Sequence, residues 1–269
     1  MSIFRLVVVV ASLLVSVVTA GALQLPGTAV GLKEVIAAVE GPFRLDRNGN
    51  PELESVQADF FQRSTIAEKK REMRADGRMY IKPASEHQPL KFRFEYYRPA
   101  RQEVVCDGRN LWVYLPENRQ VILSDVEEFL DPQRNNPVRD RGINFLQGLG
   151  RISKDFTITF AQRSTDAEGN YILELRPNRA NVMIQRLFIT VSREAVLRRV
   201  GGLPRTDVPS AVPRDERLFA ILSTTVLDHD GNSTTMEFSS IRTNEMMPEM
   251  LFTVNVPADF RLVRPPSGR

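Results

Sequence analysis

The alternation of aromatic and charged side chains between Lys91 and Tyr96 constrains the fold more than any other feature of this sequence. Successive side chains of an extended strand point to opposite faces, so residues two positions apart share a face. The residues on the apolar face of this strand are Phe92, Phe94 and Tyr96. Two more β-rich segments follow at 102–106 and 111–115, separated by a hairpin loop at 107–110. The stretch therefore predicts neighbouring antiparallel strands whose apolar face another part of the chain has to cover.

The same period-two pattern recurs along most of the chain beyond residue 56. It predicts about ten or eleven strands in two blocks, among them Ala195 to Val200 and a closing strand from Phe252 to Val256. Helical spacing marks three further segments, which are residues 30–39 with Thr28 as a cap, a short helix capped at Ser124–Asp125, and residues 143–149. Hairpin-length links favour one antiparallel sheet, and such a sheet curls because its strands twist. The helices are then expected to pack against its concave apolar face.

The first 22 residues have the pattern of a cleaved secretory signal peptide. Arg5 precedes an apolar run from Leu6 to Val18, and small residues follow at the positions that a signal peptidase reads. A retained membrane anchor is the alternative, but it needs roughly 20 apolar residues. The residue directly after the cleavage site is not a Cys, which argues against a lipid anchor. We therefore expect residues 23–269 to form one domain outside the cytoplasm, with a Pro/Gly-rich loop insertion at 201–215.

Composition excludes several classes of function. Cys106 is the only cysteine, so no internal disulfide is possible, and its place among valines predicts a buried, inert thiol. The formal net charge is +3, but charges of both signs are interspersed, and nucleic-acid binding gains little support. The sequence has two His residues and none of the common catalytic motifs, so we expect no enzyme activity, no cofactor and no metal site.

An ordered series of segments resembles the LolA family of periplasmic outer-membrane lipoprotein carriers. After an N-terminal helix, the segments that carry the resemblance are residues 55–62, 77–82, 92–96, 104–114 and 251–257, with Pro99 between the third and fourth. Together they span most of residues 30–260. The resemblance implies a mainly β fold, in which about eleven antiparallel strands form an unclosed half-barrel with a lid of a few α-helices. It also implies a hydrophobic cavity for the acyl chains of a lipoprotein.

The resemblance and the alternation together suggest three groups of site residues. The lining or mouth of the cavity would be formed by Phe60, Met79, Ile81, Phe92, Phe94, Tyr96, Trp112 and Tyr114. The lid would be formed by Ile143, Phe145, Leu146 and Leu149. Family members commonly have an Arg-Pro pair after a strand-end Lys, and that Arg ties the lid to the barrel. Here Lys82 is followed by Pro83 and an insertion at 84–89, so the substitute latch would be Lys82, His87 or Lys91.

The function that the resemblance implies is a monomeric periplasmic chaperone that carries lipoproteins from the inner to the outer membrane. Its partners would be acylated lipoproteins, an inner-membrane lipoprotein-releasing ABC transporter and an outer-membrane receptor. One alternative is a periplasmic sensor of related fold that binds lipid or lipoprotein without transferring it. Another is a structural envelope module whose core is simply full.

Overall fold

The computed structural model describes residues 30–126, 149–201 and 218–264. These residues form one sheet of twelve strands, against the eleven or so predicted. The strands are β1 (Val56–Ile66), β2 (Arg71–Lys82), β3 (Lys91–Arg98), β4 (Gln102–Cys106), β5 (Asn110–Leu115), β6 (Gln120–Asp125), β7 (Phe156–Thr165), β8 (Tyr171–Pro177), β9 (Arg186–Val191), β10 (Ile221–Leu227), β11 (Ser233–Thr243) and β12 (Arg261–Val263). The prediction of a mainly β fold is confirmed.

The strand order across the sheet explains why it does not close. The order is β12-β6-β5-β4-β3-β2-β1-β11-β10-β9-β8-β7, with β12 and β7 at the two edges. All pairs are antiparallel except β12 with β6, which is parallel. Strands β1 to β6 form one meander and strands β7 to β11 form a second. The pairing of β1 with β11 joins the two meanders into one curved sheet. The unclosed half-barrel predicted from the resemblance is therefore confirmed.

Three α-helices occur within the described residues, and they cover one face of the sheet: α1 (Leu32–Glu40), α2 (Ile152–Asp155) and α3 (Arg193–Arg199). We call this the inner face and the opposite one the outer face. The N-cap residue of α1 is Gly31, whose N–H donates to the Glu34 carboxylate at 2.9 Å. Glu34 thus satisfies a backbone donor that a helix start otherwise leaves free. Thr28, the predicted cap, lies outside the described residues.

The predicted strand from Ala195 to Val200 is wrong, because these residues lie in and just after helix α3. The Ser192 hydroxyl accepts a hydrogen bond from the Ala195 N–H at 3.3 Å, which starts the helix. Glu194 and Arg198 form an ion pair one turn apart. Ala195 and Val196 are buried, so tertiary packing of one helix face outweighs the strand propensity of the valines.

The predicted closing strand from Phe252 to Val256 is also wrong. Glu249–Phe252 form a 3₁₀ turn, residues 253–257 are irregular, and the last strand is β12. Phe252 is buried on the outer face, so its apolar side chain anchors this segment without strand pairing. The residue Pro257 has no N–H to donate to a ladder. Ser124 and Asp125, predicted to cap a short helix, are the last residues of strand β6, and Val126 after them is helical. The rest of that predicted helix lies outside the described residues.

Candidate functional site

The inner face of strands β1–β3 carries a continuous apolar surface. Across β2 and β3, Ile81 pairs with Phe92, Met79 with Phe94, and Gly77 with Tyr96. Directly paired residues point to the same face, so these pairs stack in rows. The structure thereby brings together six of the predicted lining residues, each no more than 7% exposed: Phe60, Met79, Ile81, Phe92, Phe94 and Tyr96. We call this set the ring cluster.

Ring contacts hold the ring cluster together. The Phe60 ring centroid lies 4.9 Å from that of Tyr96, edge to face, and 5.7 Å from that of Phe94. Phe92 and Phe94 are 5.9 Å apart in a similar edge-on arrangement. Such pairs contribute about 0.5–1.5 kcal/mol beyond their burial. Gly77 makes room for them, because a Cβ there would lie 2.8 Å from Cζ of Phe60 and would collide with the backbone oxygen of Glu95.

Helical residues cover the ring cluster and the rest of the inner face. The buried side chains that belong to the same apolar core are Val35, Ala38 and Val39 of α1, Leu149 of the 3₁₀ turn before α2, Ile152 at the start of α2, and Ala195 and Val196 of α3. Leu149, predicted in the lid, is thus buried against this core. The other predicted lid residues, Ile143, Phe145 and Leu146, lie outside the described residues.

A buried carboxylate joins two of the covering elements. Glu40, at the end of α1, has a side chain that is 1% exposed. One of its oxygens accepts the N–H of Ser153 in α2 at 2.6 Å, and the other pairs with Arg44 at 2.8 Å. Because buried charges are costly unless they are paired, this arrangement fixes the position of α1 relative to α2.

Comparison with known proteins gives the family. The model of "Outer membrane lipoprotein carrier protein LolA" matches residues 51–202, which is more than half of the chain. The chain belongs to the LolA family. The outer-membrane lipoprotein carrier protein of Nitrosospira multiformis is 25% identical over 207 residues, covering 76% of this chain and 79% of that protein.

Other relatives of the LolA family match shorter stretches. The carrier protein of Xanthomonas oryzae pv. oryzae is 36% identical over 69 residues, 26% of this chain and 31% of that protein. The match to a Xanthomonas campestris carrier protein spans 62% of that relative's length. The chain thus spans about a third to three fifths of these two relatives. The crystal structure of a LolA superfamily protein from Nitrosomonas europaea has a TM-score of 0.39 at 14% identity, covering 82% of this chain and 97% of that one.

Within this LolA-family sheet, Trp112 and Tyr114 lie on the outer face, away from the ring cluster. In β5 the buried, core-facing residues are Leu111 and Val113, and the alternate residues point outward. The Tyr114 ring stacks on Phe260 with centroids 5.0 Å apart and an interplanar angle of 4°. The C-terminal segment supplies this cover, so both faces of β5 can be apolar.

The three predicted latch residues contact loops and the C-terminal segment. Lys82 and Lys91 both donate to the Glu249 carboxylate, at 2.7 and 2.6 Å. Hydrogen bonds from Lys82 and then Lys91 lower the pKa of Glu249. A ring nitrogen of His87 lies 3.1 Å from the Asn48 carbonyl oxygen, in the loop that follows α1. The two lysines therefore hold the C-terminal segment on the outer face, and only His87 contacts the region near α1.

Sequence reasoning did not assign site residues on the second meander. Its inner face extends the apolar surface of the LolA-family fold with Leu173, Ile189, Val191, Phe219, Met236 and Phe238. The period-two alternation was the available signal for the strand residues in this set. Four polar residues on the same face were not assigned to the site from the sequence, and they are Gln62, Ser64, Thr224 and Thr234.

The described residues show neither a metal-binding cluster nor a helix that could span a membrane. Residues 30–126, 149–201 and 218–264 contain no group of three or more His, Cys, Asp or Glu placed to hold a metal ion. Within the same ranges, every helix is too short or too polar to cross a membrane.

Proposed function

We propose that this protein is a periplasmic carrier that holds the acyl chains of a lipoprotein against the inner face and moves them from the inner to the outer membrane. The observation that carries the proposal is the ring cluster, a buried apolar surface built from three adjacent strands and covered by helices. Hiding an acyl chain from water is worth about 0.8 kcal/mol per methylene, so chains of a dozen carbons need such a surface to cross an aqueous compartment.

Entry of an acyl chain requires the covering helices to move. The ring cluster residues are at most 7% exposed, so an incoming chain has to displace α1 or the α2 segment to reach them. The protein then has two states, covered and open, and cargo binding favours the open one. Binding and release need no covalent step, so we propose a carrier without enzymatic activity. The partners would be an inner-membrane lipoprotein-releasing ABC transporter and an outer-membrane receptor.

The decisive experiment is release of an acylated lipoprotein from inner-membrane vesicles by the purified mature protein. We expect the lipoprotein to appear in a soluble complex with the carrier, and a non-acylated form of the same lipoprotein not to be retained. Failure to bind the acylated form, with the carrier folded, would refute the proposal.

Two substitutions in strand β3 test whether the inner face is the binding surface. Phe94 faces the inner core and Tyr97, three residues on in the same strand, is 45% exposed. We expect Phe94→Leu to weaken binding of a fluorescent acylated peptide, whereas Tyr97→Leu should leave it unchanged. Equal effects of the two substitutions would argue against the inner face as the binding surface.

A further inference from the structure

Five polar side chains lie on the inner face where its apolar surface ends. They come from four strands and are Gln62, Ser64, Tyr96, Thr224 and Thr234; we call them the polar belt. The Tyr96 hydroxyl donates to Oε1 of Gln62 at 3.2 Å, and Nε2 of Gln62 donates to Oγ of Ser64 at 3.4 Å. The Ser64 and Thr234 hydroxyls are 3.2 Å apart. Four of the five thus form one hydrogen-bonded chain across the sheet.

Strand register places the fifth residue, Thr224, on the same row. Gln62 pairs with Met236, and Met236 pairs with Thr224. On the far side, Thr224 pairs with Ile189, which is buried in the inner core. The Thr224 side chain therefore points to the inner face, between two buried apolar neighbours.

The Thr224 hydroxyl is the unusual member of the polar belt. The residue is 1% exposed, yet within the described part of the chain its hydroxyl makes no hydrogen bond. Leaving a buried hydroxyl unpaired costs free energy, and nearly all such groups in folded proteins have a partner. An unpaired donor on a candidate binding surface indicates that the partner comes from a ligand.

The polar belt also marks a change in exposure. Along the inner positions of β2, Met79 is fully buried, Ala75 is half-buried and Met73 is 42% exposed. Residues 67–74, which are the turn between β1 and β2 and the first residues of β2, are all exposed. The belt therefore lies between the buried apolar interior and an end that faces water, which is where the polar end of a bound lipid would lie.

The hydrogen-bond chain leaves donors to spare. Gln62 uses one N–H on Ser64 and keeps a second, and one of the Ser64 and Thr234 hydroxyls keeps its hydrogen. Thr224 adds another O–H. The groups that match spare donors are carbonyl oxygens, and each acyl chain of an acylated cysteine begins at an ester or amide carbonyl.

We infer that the polar belt binds the ester and amide carbonyls at the head of the acyl chains, with the Thr224 hydroxyl donating to one of them. This inference rests on the proposed function. The belt then limits how far the acyl chains enter, because they pass into the ring cluster only until their carbonyls reach the donors of the belt. It makes the site selective for acyl lipids over hydrocarbons of equal length.

The test compares two ligands of equal chain length. One is a triacylated cysteine lipopeptide, and the other is the same lipopeptide with its two esters replaced by ethers, which are poor acceptors. Loss of one or two hydrogen bonds corresponds to about five- to tenfold in affinity. We expect the wild-type protein to prefer the ester ligand by about that factor.

Two neighbouring substitutions separate ligand binding from structure. Thr224→Val should lower the ester preference several-fold, leave the affinity for the ether ligand unchanged, and leave Tm unchanged or raised, since no protein hydrogen bond is lost. Thr225→Val is the matched control, because Thr225 points outward and its hydroxyl pairs with that of Thr235 at 2.9 Å. It should preserve the ester preference.

The outcomes distinguish this inference from the proposed function. Equal wild-type affinity for both ligands, or an unchanged preference in Thr224→Val, would overturn the role of the polar belt while leaving the carrier intact. A lower Tm in Thr224→Val would mean that the hydroxyl is structural, which also overturns it. Binding of neither ligand would refute the carrier function itself, and the inference with it.

Discussion

Oε1 of Glu40 lies 2.6 Å from the backbone nitrogen of Ser153, so a buried side chain at the end of α1 satisfies a donor in the first turn of α2. The first turn of a helix has N–H groups without intrahelical partners, and a carboxylate is the strongest acceptor for them. The two residues are distant in sequence, and both helices cover the inner face. This contact therefore holds the cover of the candidate site in place.

Substitution of Glu40 should loosen that cover. Glu40→Ala leaves the Ser153 N–H without its acceptor, and we expect the free energy of unfolding in urea to fall by about 1–3 kcal/mol. Glu40→Gln keeps an acceptor oxygen and should lose less. Arg151→Ala is the control, since its exposed side chain pairs with the exposed Asp155 at 3.2 Å, an ion pair worth less than about 1 kcal/mol. A larger loss from Arg151→Ala than from Glu40→Ala would contradict this account.

Gly77 should tolerate no side chain. A Cβ at this position would collide with the Glu95 carbonyl oxygen and press on the Phe60 ring. Overpacking of this kind costs about 1–3 kcal/mol or more, and we expect Gly77→Ala to lower Tm and to separate Phe60 from Tyr96. Thermal unfolding measures the first effect, and near-ultraviolet circular dichroism reports the second. An unchanged Tm would mean that β2 and β3 can move apart at this position without loss of stability.

Acid should release the C-terminal segment from the outer face. The pKa of Glu249 is lowered by its hydrogen bonds to Lys82 and Lys91, so the unfolded chain takes up a proton at higher pH than the folded one. The stabilisation is therefore complete above the usual carboxyl pKa and is lost as pH falls through the lowered value. Glu249 is 61% exposed, so the contribution should stay below about 1 kcal/mol.

Amide hydrogen exchange at Leu251 and Phe252 measures this release. In the wild-type protein, protection should fall between neutral and acid pH by more than intrinsic exchange explains. Glu249→Gln should be less protected at neutral pH and should lose the pH dependence. Glu245→Gln is the matched control in the same segment, because its carboxylate pairs with the exposed Arg242 at 3.6 Å and not with the two lysines. An equal effect of the two substitutions would rule out the lysine contacts as the cause.

Cys106 should react only when the protein unfolds. Burial raises the pKa of its thiol to about 11, so at pH 8 the folded protein holds almost no thiolate. A maleimide reagent should modify the thiol slowly in buffer and quickly in urea. Because the thiol pKa is higher in the folded state, stability should also decline as pH rises from about 9 toward 11. Rapid labelling in buffer would show that β4 opens locally.

Alternation in the sequence was enough to identify most strands and the residues that share a face. Phe92, Phe94 and Tyr96 point together because a strand repeats every two residues, and this holds whatever surrounds it. The same rule placed Trp112 and Tyr114 together but could not tell that their face is the outer one. Both faces of β5 are apolar, so alternation cannot show which of them faces the core. The face with Tyr114 is the outer one, and Phe260, which lies far along the chain, covers it.

The sequence by itself therefore determined the fold class, the family and the pairing of residues within each strand, because these depend on local periodicity and on ordered motifs. Tertiary structure alone decided that Ala195 lies in a helix, that Glu40 contacts Ser153, and that Thr224 lies on one row with Gln62. The physical reason is that these outcomes depend on contacts between segments far apart in the chain, such as Glu40 with Ser153 and Gln62 with Met236. Periodicity within a segment carries no information about which distant surface will cover it.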